Sequence, residues 1–388
     1  MLRNYLRTAL RFLKHNKVFA AINVLGLSIA LAASFIILLY VINELSYNRC
    51  HKNHNDVYRV LNYYRDFKQI MAGTPYVLAS AMKNEFPQVV KGCCSRPVSL
   101  GLKIGEEYVS ISPAMATTSD IFDIFTIPLI EGASGEDILG DMSSIVISAD
   151  MAQKYFPGVS PVGRELTGYI NNKENLFVVK GVFKDIPQNS TFRAQCIINS
   201  KWTLDPINQS FNVTNADVNW TFDFWNTWVL LSPRSDPGEL EKLFPDFEKK
   251  NISENPQNSY SLQNLSDVYL KSQNVANTGL AGNIKNVRLF SLIAFLIVLV
   301  AAINYIILST AVSSSRGKEI GIRKTFGARA DNIRNQLLSE SVLLILLVLP
   351  FALVIAWFGL PVAGKLFQTK LSVIQGNIPV YISIYLLV

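Results

Sequence analysis

Charge is scarce in this sequence. Asp, Glu, Lys and Arg make up 17% of its 388 residues, against about 25% in ordinary globular domains. Histidine occurs only at His15, His51 and His54, and cysteine only at Cys50, Cys93, Cys94 and Cys196. There is no G-x-x-x-x-G-K-[ST] phosphate loop, because Gly317-Lys318 is followed by Glu319 and lacks the upstream glycine. H-E-x-x-H, G-x-S-x-G and protein-kinase signatures are missing too. These gaps argue against a soluble enzyme, a nucleotide hydrolase and a small disulfide scaffold. The expectation is a non-catalytic chain with no catalytic, cofactor-binding or metal-binding residue of its own.

What is present explains the shortage. Hydrophobic residues are 49% of the chain, and the mean hydropathy is +0.24. The excess lies in four uncharged stretches: Val18–Asn43, Leu289–Ser315, Ser341–Gly364 and Leu371–Val388. A helix needs about 20 mainly apolar residues to cross a bilayer. The first three stretches are long enough, and the fourth reads as the start of a span cut short. The first exceeds the apolar core of a cleaved secretory signal, about 7–15 residues, and no A-x-A site follows it. The expected organisation has a cytoplasmic amphipathic helix at 1–17 and a first span at 18–43. A large external domain fills 44–288, and a second span occupies 289–310. A cytoplasmic elbow at 311–340, a third span at 341–363, an external loop at 364–377 and the start of a fourth span at 378–388 complete it.

Charge sets the orientation. Arg3, Arg7, Arg11, Lys14 and Lys17 precede the first span with no acid among them, and the 310–340 loop holds six cations against Glu319, Asp331 and Glu340. Cations near spans stay on the cytoplasmic side, so 44–288 falls outside. The pI of about 9.1 comes from cations that flank spans, which suits anionic membrane lipids better than nucleic acid. Leu2, Leu6, Ala9 and Leu13 recur at helical spacing beside the basic residues, fitting a helix in the inner-leaflet interface; a plain extension of the first span is the alternative. No charge falls within the first three spans, where Asn23 and Asn304 are the main polar side chains, which disfavours an ion-coupled carrier.

The external span reads as mixed α+β. Asp56–Tyr63 has strand composition, Tyr76–Phe86 has helical spacing closed by Pro87, and Val98–Ser112 reads as one or two strands. A second strand–helix–strand set follows at Trp225–Ser232, Asp236–Lys250 (Leu240, Leu243 and Phe247 on one face) and Tyr260–Leu270. Between the sets lie a helical stretch at Ser119–Phe125, a strand–helix pair at Ser144–Phe156 and a strand at Leu176–Phe183. The fold class expected is a multi-pass α-helical membrane protein with a large external α+β domain, in which two strand–helix–strand units flank an inserted subdomain. Cys50-His51-x-x-His54 has too few partners for a zinc site and reads as surface or linker. Disulfide pairing is left open. Trp220, Phe222, Phe224, Trp225 and Trp228 suit core packing better than a ligand groove.

The most informative segment is the elbow, SRGKEIGIRKTFGARADNIRNQLLSES. Glu319 and Arg323 are i,i+4 neighbours. Ile322 and Phe326 share another face beside Arg323 and Lys324, Gly327 is placed to end a first helix, and Asp331 to cap a second. Topology needs cations there, but not an apolar stripe, paired glycines and a cap, so the elbow is expected to dock a partner.

This segment resembles the E-I-G-I-R-K-x-x-G-A…Q-x-L-x-E signature of FtsX-like permeases. The residues that match are Glu319, Ile320, Gly321, Ile322, Arg323, Lys324, Gly327, Ala328, Ile333, Gln336, Leu338 and Glu340. Glu44–Arg49 with Val57–Val60, Asp120–Phe125 with Glu131-Gly132, Lys154–Pro157 with Pro161–Gly163, and Lys180–Pro187 resemble MacB-type periplasmic core domains in family order. Arg329 departs from the Ser often found there. The resemblance implies an ABC-transporter permease in a bacterial inner membrane, with Mg-ATP bound by a separate cytoplasmic ATPase that the elbow grips. It further implies a second permease copy or half, a periplasmic adaptor or outer-membrane component as candidate partners, and export or extraction of a lipid-linked, peptide-like or drug-like substrate. Larger relatives repeat the unit, so a first half of a longer permease is an open reading. So is an ATPase-driven regulator of cell-envelope hydrolases that moves no cargo.

Overall fold

The computed structural model describes residues 17–133, 135–171, 173–252, 258–315, 317, 321–322, 325–326 and 330–367. They form two compact units: the helical segments up to Leu45 and from Ile284 onward, and the α+β segment Ser46–Asn283. In chain order, helix α1 (Lys17–Leu45) leads to β1 (Val57–Tyr64), β2 (Gln69–Met71), α2 (Leu78–Glu85), β3 (Val89–Ile104), β4 (Glu107–Thr117) and α3 (Ile121–Ile124). Then come β5 (Leu129–Gly132), β6 (Ser144–Ser148), α4 (Ala149–Tyr155), β7 (Glu165–Ile170), β8 (Lys173–Phe183), β9 (Cys196–Asn199) and α5 (Leu204–Phe211). The described residues continue with β10 (Asn226–Leu231), α6 (Pro237–Glu241), α7 (Phe244–Asn251), β11 (Asn258–Asn264), α8 (Leu265–Val268), β12 (Val275–Ala276), α9 (Ile284–Ser315) and α10 (Ala330–Leu366).

The α+β unit has two lobes joined by one long strand. In the first, β1-α2-β3 and β10-α6-α7-β11 are two strand–helix–strand units whose strands lie in the order β11-β1-β10-β3, each neighbour antiparallel. That is a split ferredoxin-like arrangement. The helices cover one face because Leu78 and Met82 of α2, Leu240 of α6 and Phe244 and Phe247 of α7 bury against Val60 and Val229. The second lobe is the insertion. The far half of β3 pairs with β4, β4 with β9, β9 with β6, β6 with β8, β8 with β7, and β7 returns to β3. The six strands thus close into a ring, which leaves none of them as an open edge. Leu100, Leu102, Ile111, Ile145, Ile147, Leu166, Phe177, Val179 and Ile198 form its core. β5 adds to β8, and here glycine is required: Gly132 has φ 102°, and a Cβ on it would sit 2.2 Å from the Lys180 carbonyl oxygen.

Several expectations need correction. β3 begins at Val89 rather than Val98, and the chain reverses into β4 at Gly105, which has φ 65°. Asp236–Lys250 is two helices, since Pro245 in the first turn of α7 has no N–H to continue the ladder. Leu243 is consequently exposed, and Phe244 takes the buried position. Tyr260–Leu270 is a strand only to Asn264, whose side chain accepts from the Ser266 N–H and starts α8. Trp225 and Trp228 are core residues, whereas Phe224 is exposed.

In the helical unit, α1 packs against both α9 and α10. Ala32, Ala294, Ala352 and Ala356 are buried, and the Ser28 and Ser34 hydroxyls donate to the Val348 and Ala294 carbonyls at 3.3 and 3.4 Å. Small residues and hydroxyls are what helices use to approach closely in lipid. All three helices are long and apolar enough to cross a membrane, over Ala20–Leu45, Ile284–Ala311 and Ser341–Leu366. Tyr40, Phe290 and Phe367 meet at one end as a stacked and edge-on trio.

Candidate functional site: the elbow and the neck

The elbow joins α9 to α10. Of its expected docking residues, Glu319, Ile320, Arg323, Lys324 and Gly327 lie outside the described residues. Gly321 and Ile322 are helical and Phe326 follows in a turn, with its N–H donating to the Ile322 carbonyl at 3.1 Å. Ile322 is 59% exposed and Phe326 87% exposed. A Cβ on Gly321 would meet nothing within 4 Å among the described residues. Asp331 does not precede α10 as a cap; it lies in the first turn, where a carboxylate favours the helix dipole, and pairs with Arg334 at 3.5 Å. Gln336 and Glu340 follow on the same helix. At the span end of the elbow, the Tyr305 hydroxyl donates to Ser341 Oγ at 2.7 Å, tying α9 to α10.

A second constellation lies at the base of the α+β unit, where its chain enters and leaves. Asn48 is fully buried with φ 63°. Its N–H donates to the Asn189 carbonyl at 2.7 Å and its Nδ2 to the Leu265 carbonyl at 2.8 Å, while its Oδ1 accepts from Thr191 N–H and Oγ1. Asn189 Nδ2 donates back to Ser46 Oγ at 3.0 Å. His51 bonds through Nδ1 to the Phe125 carbonyl, so that nitrogen carries the proton and Nε2 accepts from Ser190 Oγ at 2.9 Å. Burial pushes the His51 pKa down to about 4. Tyr47 stacks flat on Tyr269 at 3.4 Å between centroids, and Gly282 packs so close to that ring that a Cβ would lie 2.4 Å from it. Two of the family-like motifs, Glu44–Arg49 and Asp120–Phe125, therefore converge with Asn189–Thr191, just past a third, on one polar knot, which we call the neck. The Cys50-His51-x-x-His54 cluster belongs to it structurally: both imidazoles have protein partners, His54 through Ser266 Oγ at 3.0 Å. Among the described residues no group of three or more His, Cys, Asp or Glu could hold a metal ion, and all four cysteines are free.

Sequence reasoning missed Arg59. It is 1% exposed and has no carboxylate partner among the described residues. Its NH1 group donates to Thr278 Oγ1 and O at 2.9 and 3.3 Å, and its NH2 group to Gln263 Oε1 and Ser272 Oγ at 2.7 and 2.9 Å. The guanidinium lies over Trp228, and burial lowers its pKa to about 10. Thr278 belongs to the strap 271–283 that leads into α9, so the buried cation fastens that strap to the sheet. The available signal was an arginine inside the apolar strand Val57-Tyr-Arg-Val60.

Residues 20–246 match the MacB-like periplasmic core domain family, and residues 291–388 match the FtsX-like permease C-terminal family. No curated protein matches the chain significantly. Similar solved structures include a domain of a permease protein from Porphyromonas gingivalis (19% identity, TM-score 0.46, 55% of this chain and 91% of that one). The periplasmic region of MacB from Actinobacillus actinomycetemcomitans is similar at 15% identity and TM-score 0.40, over 55% of this chain and 89% of that one. The extracellular domain of the noncanonic ABC-type transporter YknZ from Gram-positive bacteria gives 15% and 0.36, over 53% and 100%. With more than half of its residues inside the first family match and the C-terminal part inside the second, the chain belongs to the FtsX/MacB-type permeases, membrane components of ABC transporters.

Proposed function

We propose that this permease transmits force: a cytoplasmic ABC ATPase grips the elbow, and nucleotide-driven closure of that ATPase moves the α+β domain on the other side of a bacterial inner membrane. The observation that carries the reading is the exposure of Ile322 and Phe326 on a cation-rich loop between two spans. Apolar side chains one helical turn apart, left in the open beside charge, are what a helix-in-groove interface uses. Gly321 adds to this, since glycine inside a helix costs about 1 kcal/mol relative to alanine and nothing among the described residues needs the space.

The neck supplies the other half. A displacement at α1 or α9 reaches the domain through residues 46–56 and 271–283. Both are fastened by side-chain hydrogen bonds and stacked rings to the body of the domain rather than left as slack linker. Rigid elements with discrete contacts transmit movement between two arrangements. In this reading Mg-ATP belongs to the partner, two permease copies or halves act together, and an adaptor or outer-membrane component completes the route. The substrate is a lipid-linked, peptide-like or drug-like molecule handled at the outer face. Exchanging Arg323 for Glu tests the grip. Co-purification of the cognate ATPase should be lost while membrane insertion persists; unchanged co-purification would remove the elbow from the mechanism.

A further inference from the structure

The connection that returns from the ring to the first lobe, residues 204–225, carries a feature that force transmission does not use. Phe211, which ends α5, is 50% exposed and Phe224 is 42% exposed. With half-buried Phe222 they form one aromatic surface, with ring centroids 4.8 Å apart for Phe211–Phe222, 5.8 Å for Phe211–Phe224 and 6.3 Å for Phe222–Phe224. Its backing is rigid: Trp225 is fully buried with Ile207 and Cys94, and its Nε1 donates to Thr203 Oγ1 at 2.7 Å. Exposed aromatic clusters on a rigid base are characteristic of protein contact sites.

A cation sits within this surface. The Arg96 guanidinium lies 5.4 Å from the Phe224 centroid and 5.8 Å from that of Trp225. Its Nη1 is buried without a hydrogen-bond partner, and among the described residues no carboxylate pairs with it. Asp223, the acid next to Phe224, bonds elsewhere through one oxygen: Asn62 Nδ2 donates to its Oδ2 at 3.0 Å and the Tyr64 hydroxyl donates to the same oxygen, while its Oδ1 is buried without a partner. An unpaired, partly desolvated guanidinium is costly on its own and gains most from a planar carboxylate, which it meets bidentately.

We propose that Arg96, Phe211 and Phe224 form a docking site for a protein partner that presents an acidic side chain flanked by apolar ones. The carboxylate pairs with the open side of the half-buried Arg96 guanidinium, away from the buried Nη1, and the apolar neighbours cover the rings. A glycan fits less well, because sugars need several directed polar groups. Here Asn219 Oδ1 is taken by Thr221, Asp223 Oδ2 is taken by Tyr64 and Asn62, and Asp223 Oδ1 is buried out of a ligand's reach. An anionic lipid surface calls for a cluster of cations rather than one.

The test selects random phage-displayed peptides on the full-length protein in nanodiscs and counter-selects on the Arg96→Glu variant. Enriched peptides should carry Asp or Glu between apolar residues. The best of them should bind about tenfold more weakly to Arg96→Gln and to the surface variant Phe211→Ser, with partial recovery in Arg96→Lys. Phe211→Ser guards against misfolding, because Phe211 is half-exposed at a helix end; unchanged melting of each variant completes the control. Enrichment of peptides without acids, affinity indifferent to both substitutions, no enrichment at all, or preference for anionic lipid vesicles would each overturn the assignment.

Discussion

Acidifying the neck should loosen it by an amount set by one histidine. His51 is buried with both ring nitrogens in use, and its pKa falls from 6.5 to about 4, chiefly through burial, with His54 adding to the fall and the Phe125 carbonyl opposing it. The sign follows from which state takes the proton first. Well above pH 6.5 neither state is protonated and the group has no effect. As pH falls through 6.5 the unfolded chain protonates while the folded one does not, so stability declines until the folded value near 4, below which the penalty is constant. At pH 5 the penalty comes to about 2 kcal/mol. His51→Gln abolishes it but loses hydrogen bonds worth about 1–3 kcal/mol at every pH. The wild type should therefore be the more stable near pH 7.5, and its advantage should shrink at pH 5 by roughly 4–8 °C in Tm. Asp223 titrates in the opposite sense, its carboxyl pushed up to about 7 by burial. It is the same in both proteins and cancels in the difference. Melting of both proteins in nanodiscs, followed by tryptophan fluorescence across this pH range, is the assay. Parallel pH profiles would refute the reasoning.

Two further outcomes are expected. Thr278→Val removes the strap's side-chain bond to Arg59 and should raise amide hydrogen exchange in 271–283, by a local loss of about 1–2 kcal/mol, while β1 and β10 keep their protection; unchanged exchange would mean that the strap is held by other contacts. Phe177→Ala opens a cavity in the closed ring and should cost about 3–5 kcal/mol in denaturant unfolding, and a loss below about 1 kcal/mol would mean that the ring is not a packed core.

The long elements were legible because their periodicity is local. Twenty-odd apolar residues in a row specify a spanning helix, and the β1-α2 and β10-α7 patterns carry their own burial faces. The ring was not legible. It depends on β4 meeting β9 across Ala114–Cys196 and on β7 meeting β3, pairings of long strands with short ones dozens of residues away that no local pattern announces. The neck escaped for a different reason. Asn48, His51, Asn189 and Ser190 have the composition of an exposed linker, and only tertiary contacts show that Asn48 and His51 are buried. Arg59 was visible as a charge among apolar strand residues. Its role needed the strap, whose two-residue strand β12 is too short to read from sequence. The elbow's cations, glycines and apolar pair were readable because they are contiguous in sequence.

The most direct measurement of the central claim is site-specific photocrosslinking from position 326, with a benzophenone amino acid in place of Phe326 in cells that co-express the cognate ATPase. The account predicts an adduct with the ATPase whose yield changes when ATP hydrolysis is arrested. An adduct formed only with proteins outside the cytoplasm, or none with the ATPase in any nucleotide state, would contradict it.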